Sequence, residues 1–169
     1  YETTGMQTLS YGMALWIPYF GTGINTTDPY TFWSQLAPAN TTTWDVRRDD
    51  FDFESAQELL EQRREVISYY YDDFYPLTSY RTDNDGWMAW QCNRESEQSG
   101  VVMSFRRPES LASEMQFRLR GLEPEKMYVV ENLEGKVIQR ATGESLATKG
   151  LTVALPNPRS TAIYKYRQR

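Results

Sequence analysis

The chain of 169 residues carries 18 Lys and Arg against 23 Asp and Glu, a formal net charge of -5, and no histidine. Its scattered basic residues form no stripe that could neutralise phosphates, which argues against nucleic acid as a partner. No apolar stretch approaches about eighteen residues, which argues against a membrane-spanning helix. The lack of histidine excludes Ser-His-Asp triads and histidine metal sites, and the single cysteine, Cys92, excludes an internal disulfide.

The first predicted element lies within residues 7–20, which are apolar with little alternation. A short continuous apolar run predicts a strand buried on both faces, as in a parallel barrel. Pro18 and the segment 21–23 end this strand and open a polar loop to Asp50, with a short helix expected near residues 30–37. A closed barrel does not fit in this length beside an all-β domain, so we expect the chain to be the tail of a larger protein.

The next predicted element is an amphipathic helix over residues 53–70, with Asp52 as its N-cap. Glu58, Glu61 and Glu65 occupy one side of it. Apolar residues occupy the other side: Ala56, Leu59, Leu60, Val66, Ile67 and Tyr70. We expect this apolar side to have no partner within the chain.

From about residue 80 the hydrophobic period changes from that of a helix to that of a strand. Seven strands are predicted: Trp87–Cys92, Val101–Phe105, Glu114–Arg120, Met127–Glu131, Lys136–Arg140, Leu151–Leu155 and Thr161–Tyr166. Gly121, Gly143 and Gly150 lie at strand boundaries, where a positive φ is expected. The predicted fold is mainly β: an antiparallel β-sandwich over residues 76–169, preceded over residues 1–75 by the last strand, loop and helix of a (β/α)8 barrel.

Carboxylates are the acid–base groups that a chain without histidine can use, and paired carboxylates hydrolyse glycosides. Asp28 and Asp45 lie beside the aromatic residues Tyr30 and Trp44, which suits contact with a sugar. The alternative is that Asp28 belongs to a turn and that the acidic cluster 49–52 only starts a helix. No spacing of acidic residues matches a calcium loop, and no metal site is predicted.

Two groups of motifs resemble α-galactosidases of glycoside hydrolase family 36. The first resembles the final barrel segment: Gln7-Thr8, Tyr11–Tyr19, Gly21–Gly23, Asp28–Phe32 with Ser34, and Trp44-Asp45. The second resembles the C-terminal β-domain: Tyr75–Thr78, Trp87–Gln91, Gly100–Val102, Phe105–Arg107, Leu119–Leu122 and Gly150-Leu151. The resemblance implies a parent enzyme with an N-terminal β-domain, a catalytic barrel and this sandwich.

The resemblance also implies retaining hydrolysis of terminal α-galactosides by two aspartates from earlier barrel strands. Neither aspartate motif occurs in this chain, so no catalytic residue and no cofactor is assigned to it. Residues at the C-terminal end of a barrel strand line the pocket, which makes Trp16, Tyr19, Thr22 and Asp28 candidates for substrate binding. The alternative is that Trp16 and Tyr19 pack between the barrel and the sandwich.

The first functional hypothesis is therefore an inactive C-terminal fragment whose partner is the remainder of the parent barrel, with an α-galactoside or another carbohydrate as the implied ligand. A carbohydrate-binding module is the alternative, since aromatic residues make up 14% of the chain. A third hypothesis is a structural interaction domain, in which exposed apolar faces over residues 9–20 and 56–70 bind a partner. No motif indicates a compartment.

Overall fold

The computed structural model describes residues 2–17 and 19–169. The helices are α1 Thr3–Ala14, α2 Pro29–Ser34, α3 Phe53–Val66 and α4 Gly143–Thr148, with short 3-10 helices at Ile67–Tyr71 and Glu95–Glu97. The strands are β1 Gly21–Ile24, β2 Ala39–Thr42, β3 Asp73–Pro76, β4 Trp87–Arg94, β5 Ser99–Arg106, β6 Glu114–Phe117, β7 Met127–Asn132, β8 Val137–Thr142, β9 Leu151–Ala154 and β10 Ser160–Gln168.

A six-stranded antiparallel sheet, with the strand order β3-β4-β5-β10-β7-β8, forms the middle of the molecule. A second antiparallel sheet contains β6 and β9 and packs with α4 on one face of the large sheet. All seven strands predicted from the two-residue period are present, with small differences in their bounds. The prediction of a mainly β, antiparallel chain is therefore confirmed.

Each face of the large sheet is covered by its own apolar core. On one face, Phe117, Leu151 and Val153 of the small sheet are fully buried against the large sheet. On the other face, residues of α1 to α3 and of β1 share a core with the large sheet: Tyr11, Ile24, Tyr30, Phe32, Trp33, Leu59, Val66, Met88, Trp90, Met103, Phe105 and Ile163. The expectation that the amphipathic helix has no partner within the chain is therefore wrong.

The prediction of a strand within residues 7–20 is also wrong, because residues 7–14 belong to the helix α1. The buried side of α1 is largely polar: Thr4, Gln7, Thr8 and Ser10 are buried, whereas Leu9 is 47% exposed. This inverted pattern hides the helical period, and a short apolar run alone does not separate a helix from a strand. Pro18, which was expected to help end this element, lies outside the described residues.

Two short strands follow α1 and form a parallel pair. Gly21 to Ile24 of β1 pair in register with Ala39 to Thr42 of β2. The connection between them contains α2, which confirms the short helix expected near residues 30–37. The helix expected over residues 53–70 is confirmed as α3, which continues into a 3-10 helix.

The three boundary glycines have different roles. Gly121 and Gly150 have positive φ values of 70° and 94°, as predicted. Gly143 does not, and instead begins α4. A Cβ at position 143 would lie 2.2 Å from the carbonyl oxygen of Glu123, so glycine is required there by the close approach of two backbone segments.

Candidate functional site

The four predicted substrate-binding residues lie before, within and after β1. Trp16 and Tyr19 precede the strand and are 74% and 62% exposed. Thr22 lies within the strand, and Asp28 follows it at the start of α2. Trp16 and Tyr19 therefore come before the N-terminal end of β1 in the chain, and Asp28 comes after its C-terminal end.

Tyr19 contacts the segment that follows α3. Its ring stacks on that of Tyr71, with 6.1 Å between the ring centroids and 19° between the planes. Trp16 lies in the turn after α1, where its backbone N–H donates to the carbonyl oxygen of Met13 at 3.1 Å. Both aromatic residues therefore present a large exposed surface on the α1 side of the molecule.

The Thr22 side chain is part of a hydrogen-bond network between β1 and β2. Its hydroxyl donates to the carbonyl oxygen of Gln35 and accepts a hydrogen bond of 2.8 Å from Nδ2 of Asn40. The Gln35 side chain in turn donates to Oδ1 of Asn25 at 3.0 Å. These contacts fix the loop that leaves the C-terminal end of β1.

Asp28 is the N-cap of α2 and also pairs with an arginine from the turn before β10. Its carboxylate accepts from the Thr31 N–H at 3.0 Å and lies 2.8 Å from Nη2 of Arg159, whose guanidinium covers the ring of Tyr30. Partial burial by itself raises the pKa of Asp28, but the hydrogen bonds from Arg159 and Thr31 outweigh it, and the pKa is lowered. The Asp28 carboxylate is therefore ionised, and its contacts with Thr31 and Arg159 hold the start of α2.

The other acidic residues of this region lie on the surface. Asp45 pairs with Arg47 at 2.8 Å, and Asp50 pairs with Arg48 at 2.6 Å. Asp52 accepts from the Ser55 N–H at 2.9 Å, which confirms it as the N-cap of α3. Among the described residues, no group of three or more acidic, cysteine or histidine side chains could hold a metal ion, and no helix is long and apolar enough to span a membrane.

A buried arginine, which the sequence did not single out, attaches α1 to the large sheet. Arg107 follows β5 and is fully buried. Its guanidinium donates to Oε1 of Gln7 and Oγ1 of Thr8, both at 3.0 Å, and to the carbonyl oxygens of Arg81 at 3.0 Å and Asp83 at 2.6 Å. Arg107 thereby positions the helix α1, which is followed by the turn that contains Trp16.

Comparison with solved structures gives the same fold in a group of larger proteins. The chain is similar to the galactosidase domain of an alpha-galactosidase-sucrose kinase (TM-score 0.71, 16% identity, 99% of this chain and 25% of that chain). It is also similar to the GH36 alpha-galactosidase AgaB from Geobacillus stearothermophilus (0.70, 18%, 99% and 24%) and to the alpha-galactosidase from Lactobacillus brevis (0.61, 12%, 87% and 22%). The chain thus spans about a quarter of the length of these structures.

Comparison at the level of sequence identifies the family. No curated protein matches the chain. The model of the glycosyl hydrolase family 36 C-terminal domain matches residues 87–165, which include β4 to β9 and most of β10. The family predicted from the motifs is therefore confirmed for residues 87–165, which match the C-terminal domain of glycosyl hydrolase family 36.

Proposed function

We propose that the chain is the C-terminal part of an α-galactosidase-like, retaining glycoside hydrolase. In this proposal residues 76–169 are the β-sandwich domain, which packs against and stabilises a catalytic barrel. Residues 1–75 are the terminal segment of that barrel, and the catalytic aspartates lie outside this chain. The family match and the similarity in fold to structures named alpha-galactosidases support the proposal.

The observation that carries the barrel assignment is the parallel pair β1–α2–β2. Parallel neighbours joined through a helix are the repeating unit of a (β/α)8 barrel. Within the described part of the chain, β1 and β2 pair only with each other, which leaves an unpaired edge on either side. Because a closed barrel has no edges, further parallel strands would continue both sides.

The core shared by the two segments supports the stabilising role. Trp33 and Leu36 of this core belong to the proposed barrel segment, and Trp90 and Phe105 belong to the large sheet. Each fully buried side chain of this size contributes about 1.5–3 kcal/mol relative to an exposed one. The first third of the chain is thus a packing partner of the sheet, so its assignment to a barrel depends on the parallel pair and on the similarity in fold.

Substrate contact remains a proposal for Trp16, Tyr19, Thr22 and Asp28. If β1 is a barrel strand, Asp28 follows its C-terminal end, which is the side where barrel enzymes bind substrate, whereas Thr22 lies in its first half. Trp16 and Tyr19 precede the strand, so packing against the rest of the barrel is the better assignment for them. Trp44, at the C-terminal end of β2, joins the candidates because its indole nitrogen is buried without a partner among the described residues.

The test is turnover of an aryl α-galactoside by this chain and by the longer gene product in which it occurs. We expect the longer protein to release the aryl group and the isolated chain to release none, because the chain lacks the acids that break the bond. Turnover by the isolated chain would contradict the proposal. So would a longer protein that hydrolyses an aryl β-galactoside but not the α-anomer.

A further inference from the structure

A groove opens between an edge of the large sheet and an edge of the small sheet. Pro76 ends the edge strand β3, and Gln116 belongs to the edge strand β6. We call this site the β3–β6 groove, and six residues characterise it: Pro76, Gln116, Arg118, Arg120, Ala147 and Lys149. Its volume is about 740 Å³, within the range of roughly 300–1,000 Å³ for small-molecule sites.

The β3–β6 groove is basic, although the chain has a net charge of -5. Arg118, Arg120 and Lys149 line it, and no aspartate or glutamate does. All three side chains are exposed, and none of them belongs to an ion pair of the described residues. Like charges in one groove repel one another, so an anion that binds there is attracted by all three cations and offsets their repulsion.

The two arginines belong to one segment that the fold holds in place. Phe117 and Leu119 are buried, at 0% and 1% exposure, whereas Arg118 and Arg120 line the groove. Such alternation is expected of an extended chain, in which residues two positions apart share one side. The amide of the fully buried Gln91 accepts from the Arg120 N–H at 2.9 Å and donates to the Arg120 carbonyl oxygen at 2.8 Å.

Lys149 comes from a different element, at the C-terminal end of α4. Its backbone N–H donates to the carbonyl oxygen of Ser145 at 2.8 Å. The next residue, Gly150, has a positive φ of 94°, and a Cβ there would lie 2.9 Å from the carbonyl oxygen of Phe117. The end of α4 therefore lies against the backbone that leads to Arg118. The fold thus gathers basic residues that are scattered in the sequence.

We propose that the β3–β6 groove binds a small anion with at least two negative charges, carried by phosphate or carboxylate groups. Arg118 and Arg120 each offer a planar fork of N–H donors, which matches the paired oxygen atoms of these groups. Lys149 supplies a third positive charge, and the Gln116 amide is a further donor. This anion site goes beyond the enzymatic activity proposed above and does not depend on it.

The test is calorimetric titration of this 169-residue chain with pyrophosphate and with citrate. Acetate, with a single charge, and galactose, which is neutral, are the comparison ligands. We expect a Kd on the order of 0.1–1 mM for pyrophosphate and citrate at low salt, about tenfold weaker binding of acetate and no binding of galactose. Sodium chloride should weaken the binding, because salt screens exposed charges.

Substitutions locate the site. Arg118→Gln, Arg120→Gln and Lys149→Gln should each weaken the binding of pyrophosphate and citrate about threefold, as expected for exposed charges. The triple variant should show no measurable binding. Arg64→Gln is the matched control, because Arg64 is exposed on α3 and does not line the groove.

Three results would overturn the proposal. They are no binding of either multivalent anion, acetate binding as tight as that of pyrophosphate, or an equal loss of affinity in the Arg64→Gln control. Binding of pyrophosphate alone or of citrate alone would support the site and identify the anionic group that it prefers. Thermal melting shows whether each variant is folded. If Arg120→Gln melts early, Arg118→Gln and Lys149→Gln test the groove independently, and unchanged affinity in both would contradict it.

Discussion

Arg107 has an unusual environment for a charged residue. It is fully buried, and its hydrogen bonds go to neutral oxygen atoms of α1 and of the segment 81–83. A buried charge without a carboxylate partner is tolerated only when its donors are satisfied. Burial lowers the pKa of Arg107, yet arginine stays protonated at neutral pH. The guanidinium is therefore the polar centre of the contact between α1 and the sheet.

Replacing Arg107 with lysine should destabilise the fold strongly. Lysine carries its donors on one nitrogen atom, so it cannot span the acceptors on both sides of the planar guanidinium. We expect the free energy of unfolding to fall by about 2–4 kcal/mol, measured by urea denaturation.

Arg118→Lys is the control for this change, because Arg118 is exposed. Its effect should stay within about 0.5 kcal/mol. If the two variants lose the same stability, the Arg107 network does not contribute as proposed.

Single residues could be predicted from the sequence only where their partners are near in the chain. Asp52 was predicted as a cap because the N–H it binds, that of Ser55, is three residues away. Arg107 could not be distinguished from a solvated arginine, because its partner Gln7 is separated from it by 100 positions. The same reason hid the ion pair of Asp28 with Arg159.

At the scale of elements, the two-stranded sheets differ in their protection from solvent. The β6–β9 pair lies against the large sheet, where Phe117 and Leu151 are fully buried. In the β1–β2 pair, Ile24 is buried and the other residues are exposed or partly exposed. The two sheets have the same number of strands, but we expect the β6–β9 sheet to be the more stable, because burial contributes most of the stability of a small sheet.

Amide hydrogen exchange should reveal this difference. We expect the amides of β5 and β10 to exchange slowest, those of β6–β9 next, and those of β1–β2 fastest, because the last pair opens without unfolding the large sheet. Exchange monitored by NMR or mass spectrometry measures the order. Protection of β1–β2 as strong as that of β5 would show that the parallel pair is held by the global fold.

Regular patterns explain which elements could be predicted. Five of the six strands of the large sheet alternate buried and exposed residues or form apolar runs between turns, so the sequence predicts them: β4, β5, β7, β8 and β10. The edge strand β3 was not predicted, because its four residues are too few to display a period. The buried side of α1 is polar because it faces Arg107, Tyr30 and Ser34. Strands β1 and β2 have four residues each and include Gly and Thr, and α4 has six residues, so none of these elements is long enough to display a period.

For the whole molecule, the apolar surface near the C-terminal end of α1 is the clearest sign of a missing contact. Leu9, Leu15 and Trp16 are 47%, 55% and 74% exposed. In the proposed parent enzyme, the remainder of the barrel covers them. In the isolated chain they are free to bind a second copy, because exposed apolar side chains that lie close together favour association.

Self-association of the isolated chain should therefore depend on this surface. The double variant Leu15→Gln, Trp16→Gln should shift the chain toward the monomer at high concentration, as measured by multi-angle light scattering. Leu111→Gln is the control, because Leu111 is 96% exposed but lies in the loop before β6. A wild-type chain that stays monomeric, or an equal shift in the control, would contradict this prediction.

The candidate site could be predicted only in part. Thr22 and Asp28 were chosen for their position after an apolar segment. Asp28 does follow the C-terminal end of a strand, although that strand is β1 rather than the predicted one, and Thr22 lies within β1. The contact of Asp28 with Arg159 was not predicted, because 131 positions separate the two residues in the chain. Such a contact exists only after the sheet has formed.

The position of β10 in the large sheet has a consequence for biosynthesis. This strand follows all the other described strands in sequence, yet it lies between β5 and β7 in the sheet. Until residue 168 has emerged from the ribosome, the nascent chain lacks a complete β10. The β3-β4-β5 part and the β7-β8 part of the sheet then have no strand that joins them. Translation that terminates before residue 160 would leave two open strand edges, which chaperones or proteases would have to manage.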